Sequence, residues 1–259
     1  MNSIQIIFTI ARNTFREAVR DRVLYNLVLF VLLITASAIF LGELTAGQES
    51  RTIVNLGLSA MLLFGAFISI FVGVSLVSKE IERRTVYAIF SKPIGRGEFI
   101  VGKYLGLCLT LLVNILIMGV GVSLALAYVG GGSLVFSIWG AIFLIFLELT
   151  ILTAVAILFS SFSSPTLSAL LAFFVFIIGH FSASLKEFAA NLGSSFTRLF
   201  FDVLYYILPN LSFYSFITNA AHGDIPPAKM VGGAMLYALC YICVLLVITS
   251  LIFSRRNFK

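Results

Sequence analysis

One stretch of the sequence approaches the pattern of a phosphate-binding loop. The run from Gly97 to Lys103 has the glycine and lysine spacing with which backbone N–H groups and a lysine hold the phosphates of a nucleotide. Tyr104, however, stands where the pattern needs a serine or threonine to bind Mg²⁺, and no buried strand precedes the run. A nucleotide site also needs an α/β domain, and no stretch of this chain is polar enough to build one. We therefore expect the chain to bind neither ATP nor Mg²⁺ itself.

The other reactive side chains are weak candidates for a metal site. Cys240 and Cys243 have the two-residue spacing that some metal sites use, but they lie in an apolar run without a second pair, which favours helix packing. The histidines, His180 and His222, are isolated and are predicted to lie outside the membrane. Because the sequence also lacks a metalloprotease or Ser/His/acid pattern, it predicts no metal site and no hydrolytic enzyme.

The composition excludes a water-soluble globular protein. Of the 259 residues, 60% are apolar and 11% are charged, whereas ordinary soluble domains are about 45–50% apolar and about 25% charged. So few polar residues cannot cover a water-facing surface, and the apolar excess must face lipid, where helices satisfy their own backbone hydrogen bonds. The formal charge of +6 does not indicate nucleic acid, because the basic residues cluster between apolar runs. The sequence therefore predicts an all-α integral membrane protein.

Six apolar runs are predicted to be transmembrane helices within residues 23–259. The first, Leu24–Leu41, reaches about 27 Å at about 1.5 Å per residue, close to the hydrocarbon core of about 30 Å. A cleaved signal peptide is the rival interpretation of this run, but the preceding segment of roughly twenty residues is long for the start of a signal sequence, so we expect the run to be retained. The other predicted spans are Ile53–Val77, Ile100–Val129, Phe136–Phe159, Thr166–Phe181 and Val231–Phe253.

The basic residues predict the orientation of these spans, because lysine and arginine are retained on the cytoplasmic side during insertion. Thirteen of the 17 precede the first span, flank the connection between the second and third spans, or follow the sixth. Both termini are therefore predicted to be cytoplasmic, which an even number of spans requires. We expect a multi-pass protein of the cytoplasmic (inner) membrane, with four basic residues on the far side: Arg51, Lys186, Arg198 and Lys229.

An amphipathic helix is predicted over residues 1–22, ahead of the first span. Apolar residues recur there at helical spacing, and arginines occupy the opposite face. Beside a span, such a helix should lie in the cytoplasmic interface, either with its arginines near anionic lipid headgroups or as a short anchor without a mechanical role. The predicted apolar face consists of Ile4, Phe8, Ala11, Phe15 and Ala18.

Residues 182–230, between the fifth and sixth spans, are predicted to form an extracytoplasmic element. Its apolar stretch 196–208 is short for a span but has the size of a re-entrant or interfacial helix. Turns are predicted at Pro209-Asn210 and at His222-Gly223-Asp224. A seventh span here would move the C-terminal arginines to the far side, so we expect the element to lie on the membrane or dip into it.

Glu148 is the strongest functional candidate within the predicted spans. It falls near the middle of the fourth span, where an ionised carboxylate costs at least ~2.5 kcal/mol, so its side chain should face protein or water rather than lipid. Two interpretations remain open. Glu148 and Asn114 line a translocation path, or Glu148 is a packing residue that bonds to Asn114 or to nearby hydroxyl groups.

The connection at residues 78–99, between the second and third spans, mixes charges with apolar anchors. Ile81, Val86, Ile89 and Phe90 fit one helical stripe, and proline and glycine then turn the chain towards the third span. This pattern predicts a short helix at the cytoplasmic edge of the membrane. The alternative is a basic loop with a solvated charged face.

The motifs of this connection resemble those of a known transport family. They are Lys79-Glu80-Ile81-Glu82-Arg83-Arg84-Thr85, Ser91-Lys92-Pro93-Ile94, Arg96 and Gly102-Lys103. Together with the N-terminal helix, the six spans, Glu148 and the run Leu208-Pro209-Asn210-Leu211, they resemble the type-2 ABC exporter permeases over nearly the whole chain. The nearest subgroup is the one associated with multicopper-enzyme maturation.

The resemblance implies a permease subunit that forms the substrate path of an exporter and is not itself an enzyme. In that family the corresponding connection is a coupling helix, which docks into a cleft of a separate ATPase subunit and can push on spans two and three. The resemblance also implies two ATPase subunits, which bind ATP and Mg²⁺, and a second permease, either a copy of this chain or a relative. The residues expected to contact the ATPase are Lys79, Glu80, Glu82, Arg83, Arg84, Thr85, Lys92, Pro93 and Arg96.

Two other classes of function stay open. A secondary carrier would place paired ionisable groups or broken helices near the midplane of two repeated halves. The sequence shows only Glu148 at that depth and no evident repeat. A membrane scaffold or sensor would differ from an exporter by having no ATP-dependent flux.

Overall fold

The computed structural model of the protein describes residues 3–20, 28–29, 31–33, 35–37, 40, 48–82, 95–182 and 195–255. Within these ranges every regular element is a helix and no strand is present, which confirms the predicted all-α fold for them. Short 3-10 turns occur at Gly132–Leu134 and Leu211–Tyr214. The helices are α1 (Ser3–Arg20), α2 (Glu49–Glu82), α3 (Arg96–Tyr128), α4 (Val135–Ser160), α5 (Pro165–His180), α6 (Ser195–Ile207), α7 (Ile217–Ala221) and α8 (Ala228–Arg255).

Four of these helices are long and apolar enough to cross a membrane. They contain the segments Glu49–Ser75, Arg96–Tyr128, Gly132–Ser160 and Ala228–Ser254, which correspond to the predicted second, third, fourth and sixth spans. Nine of the 18 residues of the predicted first span, Leu24–Leu41, are described, and all nine are helical. The described part of the chain is therefore a multi-pass bundle.

The predicted fifth span forms α5, which is shorter than the other spans. Its 16 residues cover about 24 Å at about 1.5 Å per residue, less than the hydrocarbon core of about 30 Å. The chain that follows α6 packs onto its end: a Cβ added at Gly179 would lie 2.8 Å from both the carbonyl oxygen of Pro209 and Cγ of Leu211. Only a glycine permits this close approach, so α5 ends against the returning segment.

Helix α4 lies at the centre of the bundle and contacts α2, α3, α5 and α8. It is apolar on all sides, as a helix surrounded by protein should be. Small residues let α2 approach it closely, since Gly65 faces Leu149 and Gly73 faces Ala156. The hydroxyl of Ser69 also donates to the carbonyl of Leu149, with 3.4 Å between the oxygens.

Helix α1 forms as predicted, and the residues that it buries against the bundle overlap the predicted apolar face only at Ala18. It packs along the start of α3, where Gly102 and Gly106 leave room for its backbone and side chains. Ile4 and Phe8, two members of the predicted apolar face, are 80% and 69% exposed and do not pack within this chain. The apolar arc of α1 is therefore wide enough for two surfaces, one against α3 and one facing outward. The residues that α1 buries are Ile6, Thr14 and Ala18.

The element predicted to be extracytoplasmic, residues 182–230, contains the helix expected within it, although residues 183–194 lie outside the described ranges. Helix α6 matches the predicted stretch 196–208 to within one residue. Leu199, Val203 and Tyr206 are exposed and lie four and three residues apart, so they form one apolar face. The predicted turn after α7 is also present, and Gly223 supplies its positive φ of 91°.

Candidate functional site

A buried acid and an imidazole meet in the interior of the bundle. His180 Nδ1 lies 3.2 Å from Glu148 Oε1, and the two side chains are 25% and 1% exposed, respectively. Glu148 therefore faces protein rather than lipid, as predicted from the cost of a carboxylate in hydrocarbon. The pair joins the middle of α4 to the last residue of α5.

Sequence reasoning missed His180 as the partner of Glu148, because both histidines were interpreted as isolated. The feature that could have revealed this partner is the short connection between α4 and α5, which makes the two helices an antiparallel hairpin. In an antiparallel hairpin, residues at similar distances from the turn lie at similar depths. Glu148 lies 12 residues before the end of α4, and His180 lies 15 residues after the start of α5. The offset of three residues is about 4.5 Å, within reach of the two side chains.

Asn114, the other predicted residue of a translocation path, is buried in α3. Its Nδ2 donates to the carbonyl of Thr110 in the same helix at 2.8 Å. The structure places His180, and not Asn114, in contact with the Glu148 side chain. A shared path between Glu148 and Asn114 stays a prediction.

A second polar cluster joins the end of α5 to the segment after α6. Asn210 Oδ1 accepts hydrogen bonds from the hydroxyls of Ser182 and Ser212, each at 2.6 Å. The backbone N–H of Asn210 donates to the hydroxyl of Tyr237 on α8 at 3.0 Å. One asparagine thus connects three parts of the chain through a part-buried network, in which the loss of one member leaves the others without a partner.

Tyrosine hydroxyls also form hydrogen bonds between α8 and the segment that follows α6. The hydroxyl of Tyr214 donates to the carbonyl of Ala234, and that of Tyr241 donates to the carbonyl of Ile207, both at 2.9 Å. Burial raises the pKa of Tyr214 above its ordinary value, with additional contributions from Tyr237 and Glu148. The element between the fifth and sixth predicted spans is therefore bonded to α8 at several points along the first half of that helix.

Most of the predicted ATPase contacts, on the side predicted to be cytoplasmic, lie outside the described residues. Lys79, Glu80 and Glu82 belong to the last turn of α2, but their side chains are not among the described ones. Arg83, Arg84, Thr85, Lys92 and Pro93 fall within 83–94, outside the described residues. Their proposed contacts stay predictions. Arg96 is described, at the first residue of α3.

Arg96 binds the end of the last helix. Its Nη1 donates to the carbonyl of Phe253 at 3.1 Å and also to the carbonyl of Ser254. Carbonyls in the last turn of a helix lack intrahelical donors and carry partial negative charge, so an arginine there is favourable. The ring of Phe99, one turn into α3, stacks on that of Phe253 with their centroids 6.0 Å apart.

Lys103 connects the same part of α3 to α1. It is 4% exposed, and its Nζ lies 3.7 Å from Glu17 Oε2 and 5.8 Å from the centre of the Phe99 ring. At the other end of α1, the carboxylate of Glu98 accepts hydrogen bonds from Ser3 and from the N–H of Gly95. Helices α1, α3 and α8 are thus joined beside the connection 83–94.

An apolar groove of about 570 Å³ lies between α2 and α5 and is open on one side. The rings of Phe67 and Phe173 stack across it with centroids 6.2 Å apart. Three further aromatic or aliphatic residues and a proline supply much of the remaining wall. They are Ile70, Phe71, Val74 and Pro165.

The described residues contain no group of three or more His, Cys, Asp or Glu side chains that could hold a metal ion. Cys240 and Cys243 are exposed on α8, so they face outward instead of packing within this chain. Cys108 is half-buried, and all three cysteines are free thiols.

These features define a multi-pass helical membrane protein with a few polar contacts in an apolar interior and with α1, α3 and α8 joined at one end of the bundle. Residues 8–258 match the model of a family described as ABC-2 family transporter protein. Because that match covers nearly the whole sequence, the chain belongs to the ABC-2 family of transporter proteins, and the family predicted from the sequence is confirmed.

A curated relative agrees with this assignment. The chain is 27% identical over 105 residues to a protein of Pseudomonas aeruginosa named as the probable ABC transporter permease protein NosY. The match covers 39% of this chain and 38% of that relative. The aligned part of the chain thus spans about two fifths of the length of the relative.

Proposed function

We propose that this chain is the permease subunit of an ATP-binding-cassette exporter, which forms the substrate path and receives force from a separate ATPase. One observation carries the proposal most directly. Helix α2 is a single helix of 34 residues, about 51 Å long, and so is longer than a hydrocarbon core of about 30 Å. It runs without interruption from the predicted outer side to Lys79, Glu80 and Glu82, where a partner could push on it.

The proposed ATPase contact is the segment from Lys79 to Pro93, whereas Arg96, three residues further on, binds the end of α8. The segment contains Arg83, Arg84, Thr85, Lys92 and Pro93 and lies between two long helices, α2 and α3. Charged groups beside apolar anchors give orientation and specificity at a polar-rimmed interface. A force applied there would reach both helices directly.

In the proposed assembly, this permease pairs with a second copy of itself or with a related permease, above two ATPase subunits that bind ATP and Mg²⁺. Substrate would pass outward between the two permeases. The groove between α2 and α5 offers an apolar surface for such a path. Glu148 is 1% exposed and pairs with His180, which supports a role in holding the path in shape over direct contact with substrate.

The proposed location is the cytoplasmic membrane, with both termini in the cytoplasm. Helix α1 supports this placement. Its exposed apolar side chains Ile4 and Phe8 suit the acyl boundary, and its exposed Arg12 and Arg16 suit anionic headgroups. Lipid is therefore a proposed partner of the outward surface of α1.

A secondary carrier is the second candidate, and one observation favours it. Glu148 and His180 form a pair of ionisable groups inside the bundle, which is the kind of feature that a carrier places near the midplane. Membership of the ABC-2 family over residues 8–258 outweighs this observation. The two candidates differ in a simple respect, because a carrier would work without an ATPase.

Co-purification of an ATPase subunit with the tagged full chain tests the proposal. We expect the ATPase to co-purify with the wild type and to be lost from the double charge reversal Glu80→Lys/Arg83→Glu. Arg51→Glu is the matched control, because it reverses an exposed charge at the opposite end of α2, and it should retain the ATPase. Wild-type protein that purifies without any ATPase would favour the carrier. An ATPase that stays bound to the double reversal would overturn the assignment of the contact.

A further inference from the structure

We propose that α8 is a transmission rod: Arg96 and Phe99 clamp its cytoplasmic end to the start of α3, and its tyrosines carry the movement to the extracytoplasmic element. This inference rests on the proposed function, because it takes the ATPase to act on the connection 83–94. It adds an output that the sequence did not indicate. From the sequence, force from the ATPase was expected to reach the second and third spans. Through the clamp, it also reaches α8, the sixth predicted span.

The first part of the clamp is polar. Arg96 stands two residues after the connection ends at position 94, and its guanidinium donates to the carbonyls of Phe253 and Ser254. The planar guanidinium presents several donors in a fixed geometry, and the carbonyls at a helix end are free to accept them. A displacement of the connection therefore pulls on the end of α8 through hydrogen bonds to its backbone.

The second part of the clamp is apolar and prevents the two helices from sliding. Phe253 is fully buried, and its ring stacks on Phe99 at an interplanar angle of 20°. Gly97 allows close approach at the same level, since a Cβ there would lie 3.3 Å from Ser250 Oγ. Contact along a full turn of both helices makes them one rigid unit at this end, because packed interiors resist small displacements.

The other half of α8 holds the extracytoplasmic element. Tyr237 accepts a hydrogen bond from the N–H of Asn210, Tyr241 donates to the carbonyl of Ile207, and Ala234 accepts from Tyr214. Tyr237 lies 16 residues before Phe253, about 24 Å along the helix. Helix α8 is therefore clamped to α3 at the end near the proposed ATPase contact. Near its other end it makes three hydrogen bonds to the extracytoplasmic element.

The first test uses a reporter on the extracytoplasmic element. The full chain is reconstituted with its ATPase in lipid nanodiscs, with native cysteines replaced and an environment-sensitive fluorophore on Tyr206→Cys, a position that is 78% exposed on α6. ATP with vanadate should shift the emission in the parent and in the control Arg51→Gln. The shift should be lost in Arg96→Gln/Phe253→Leu while the ATPase stays bound.

Several results of this test would overturn the inference. A parent without a nucleotide-dependent shift, or an unchanged shift in the clamp variant, would show that α8 does not carry the movement. Loss of the ATPase from the clamp variant would place Arg96 in the ATPase contact instead of the clamp. Absence of the ATPase from the parent complex would contradict the proposed function itself, and the two failures are thereby distinguished.

A cross-link provides a second test, in which the oxidised and reduced forms of one protein are compared. A Cβ at position 97 would lie 3.3 Å from Ser250 Oγ, so Gly97→Cys and Ser250→Cys place two thiols at the contact between α3 and α8, where a disulfide can form. If the two ends move as one unit, ATP hydrolysis by the oxidised complex should equal that of the same protein after reduction. Hydrolysis that falls on oxidation and recovers on reduction would show that the helices separate during the cycle, and the clamp would be wrong.

Discussion

The imidazole of His180 and the carboxylate of Glu148 hold the end of a short helix against the middle of the central one, with 3.2 Å between Nδ1 and Oε1. Helix α5 is too short to cross a hydrocarbon core of about 30 Å by itself. Its last residue is therefore inside the bundle, where a polar side chain needs a polar partner. The contact places the two buried polar side chains against each other and sets where the returning segment of the chain can pack.

The stability lost on removing both members of this pair should be smaller than the sum of the losses on removing each alone. Glu148→Leu or His180→Leu alone leaves a buried polar group without its partner, at a cost of about 1–3 kcal/mol. The double variant removes both groups, and its loss should be smaller than the sum of the two single losses. Thermal unfolding of the four proteins in nanodiscs measures this coupling. Additive losses would show that the two side chains do not interact.

Docking of α1 depends on the absence of a side chain at Gly106. A Cβ there would lie 2.6 Å from the carbonyl oxygen of Ala11 and 2.6 Å from Cβ of Thr14. Because the backbone of α1 cannot yield, we expect Gly106→Ala to cost about 1–3 kcal/mol, as overpacking does, and to expose α1 to protease. Limited proteolysis with thermal unfolding measures both effects.

The matched control for this substitution is Gly232→Ala in α8. A Cβ at Gly232 would meet no atom within 4 Å, and alanine is favoured over glycine in a helix by roughly 0.5–1 kcal/mol. Stability should therefore be unchanged or slightly raised. Equal losses at the two glycines would mean that close helix packing at α1 is not the reason for Gly106.

The sequence predicted the helices because long apolar runs leave few alternatives in lipid. It could not predict contacts that depend on how helices rotate about their axes. Helix α1 illustrates this: its apolar arc is broad, and the sequence alone did not decide that Ile6 would face α3 while Ile4 faces outward.

The contact between Arg96 and the end of α8 shows a second reason why such contacts could not be predicted from the sequence. Arg96 and the carbonyl it binds on Phe253 are 157 residues apart in sequence. A charged residue beside a predicted connection was interpreted as part of that connection, since no local pattern reveals that the end of another helix supplies its acceptors. The Glu148–His180 pair differs, because counting outward from the α4–α5 turn would have found it.

The network around Asn210 should stabilise the fold of the extracytoplasmic element. In Asn210→Ala the hydroxyls of Ser182 and Ser212 lose a shared acceptor and keep only the contact with each other at 3.2 Å, at a cost of about 0.5–1.5 kcal/mol per hydrogen bond lost. Thermal unfolding should show this loss, and protease should cut the segment between α6 and α8 faster. Asn219→Ala, at an exposed position on α7, is the control and should behave as the wild type. A wild-type response of Asn210→Ala would show that the network does not support this element.

The orientation of the chain can be tested with single thiols in intact cells. In a background without the three native cysteines, Asp224→Cys lies in the exposed turn before α8, and Thr85→Cys lies in the proposed ATPase contact. Because basic residues are retained in the cytoplasm, a membrane-impermeant maleimide should label Asp224→Cys in intact cells and Thr85→Cys only after permeabilisation. Ser254→Cys, exposed at the end of α8, should behave as Thr85→Cys. Labelling of Thr85→Cys in intact cells would place the connection 83–94 on the face where no ATPase can reach it, and both the coupling contact and the transmission rod would then be wrong.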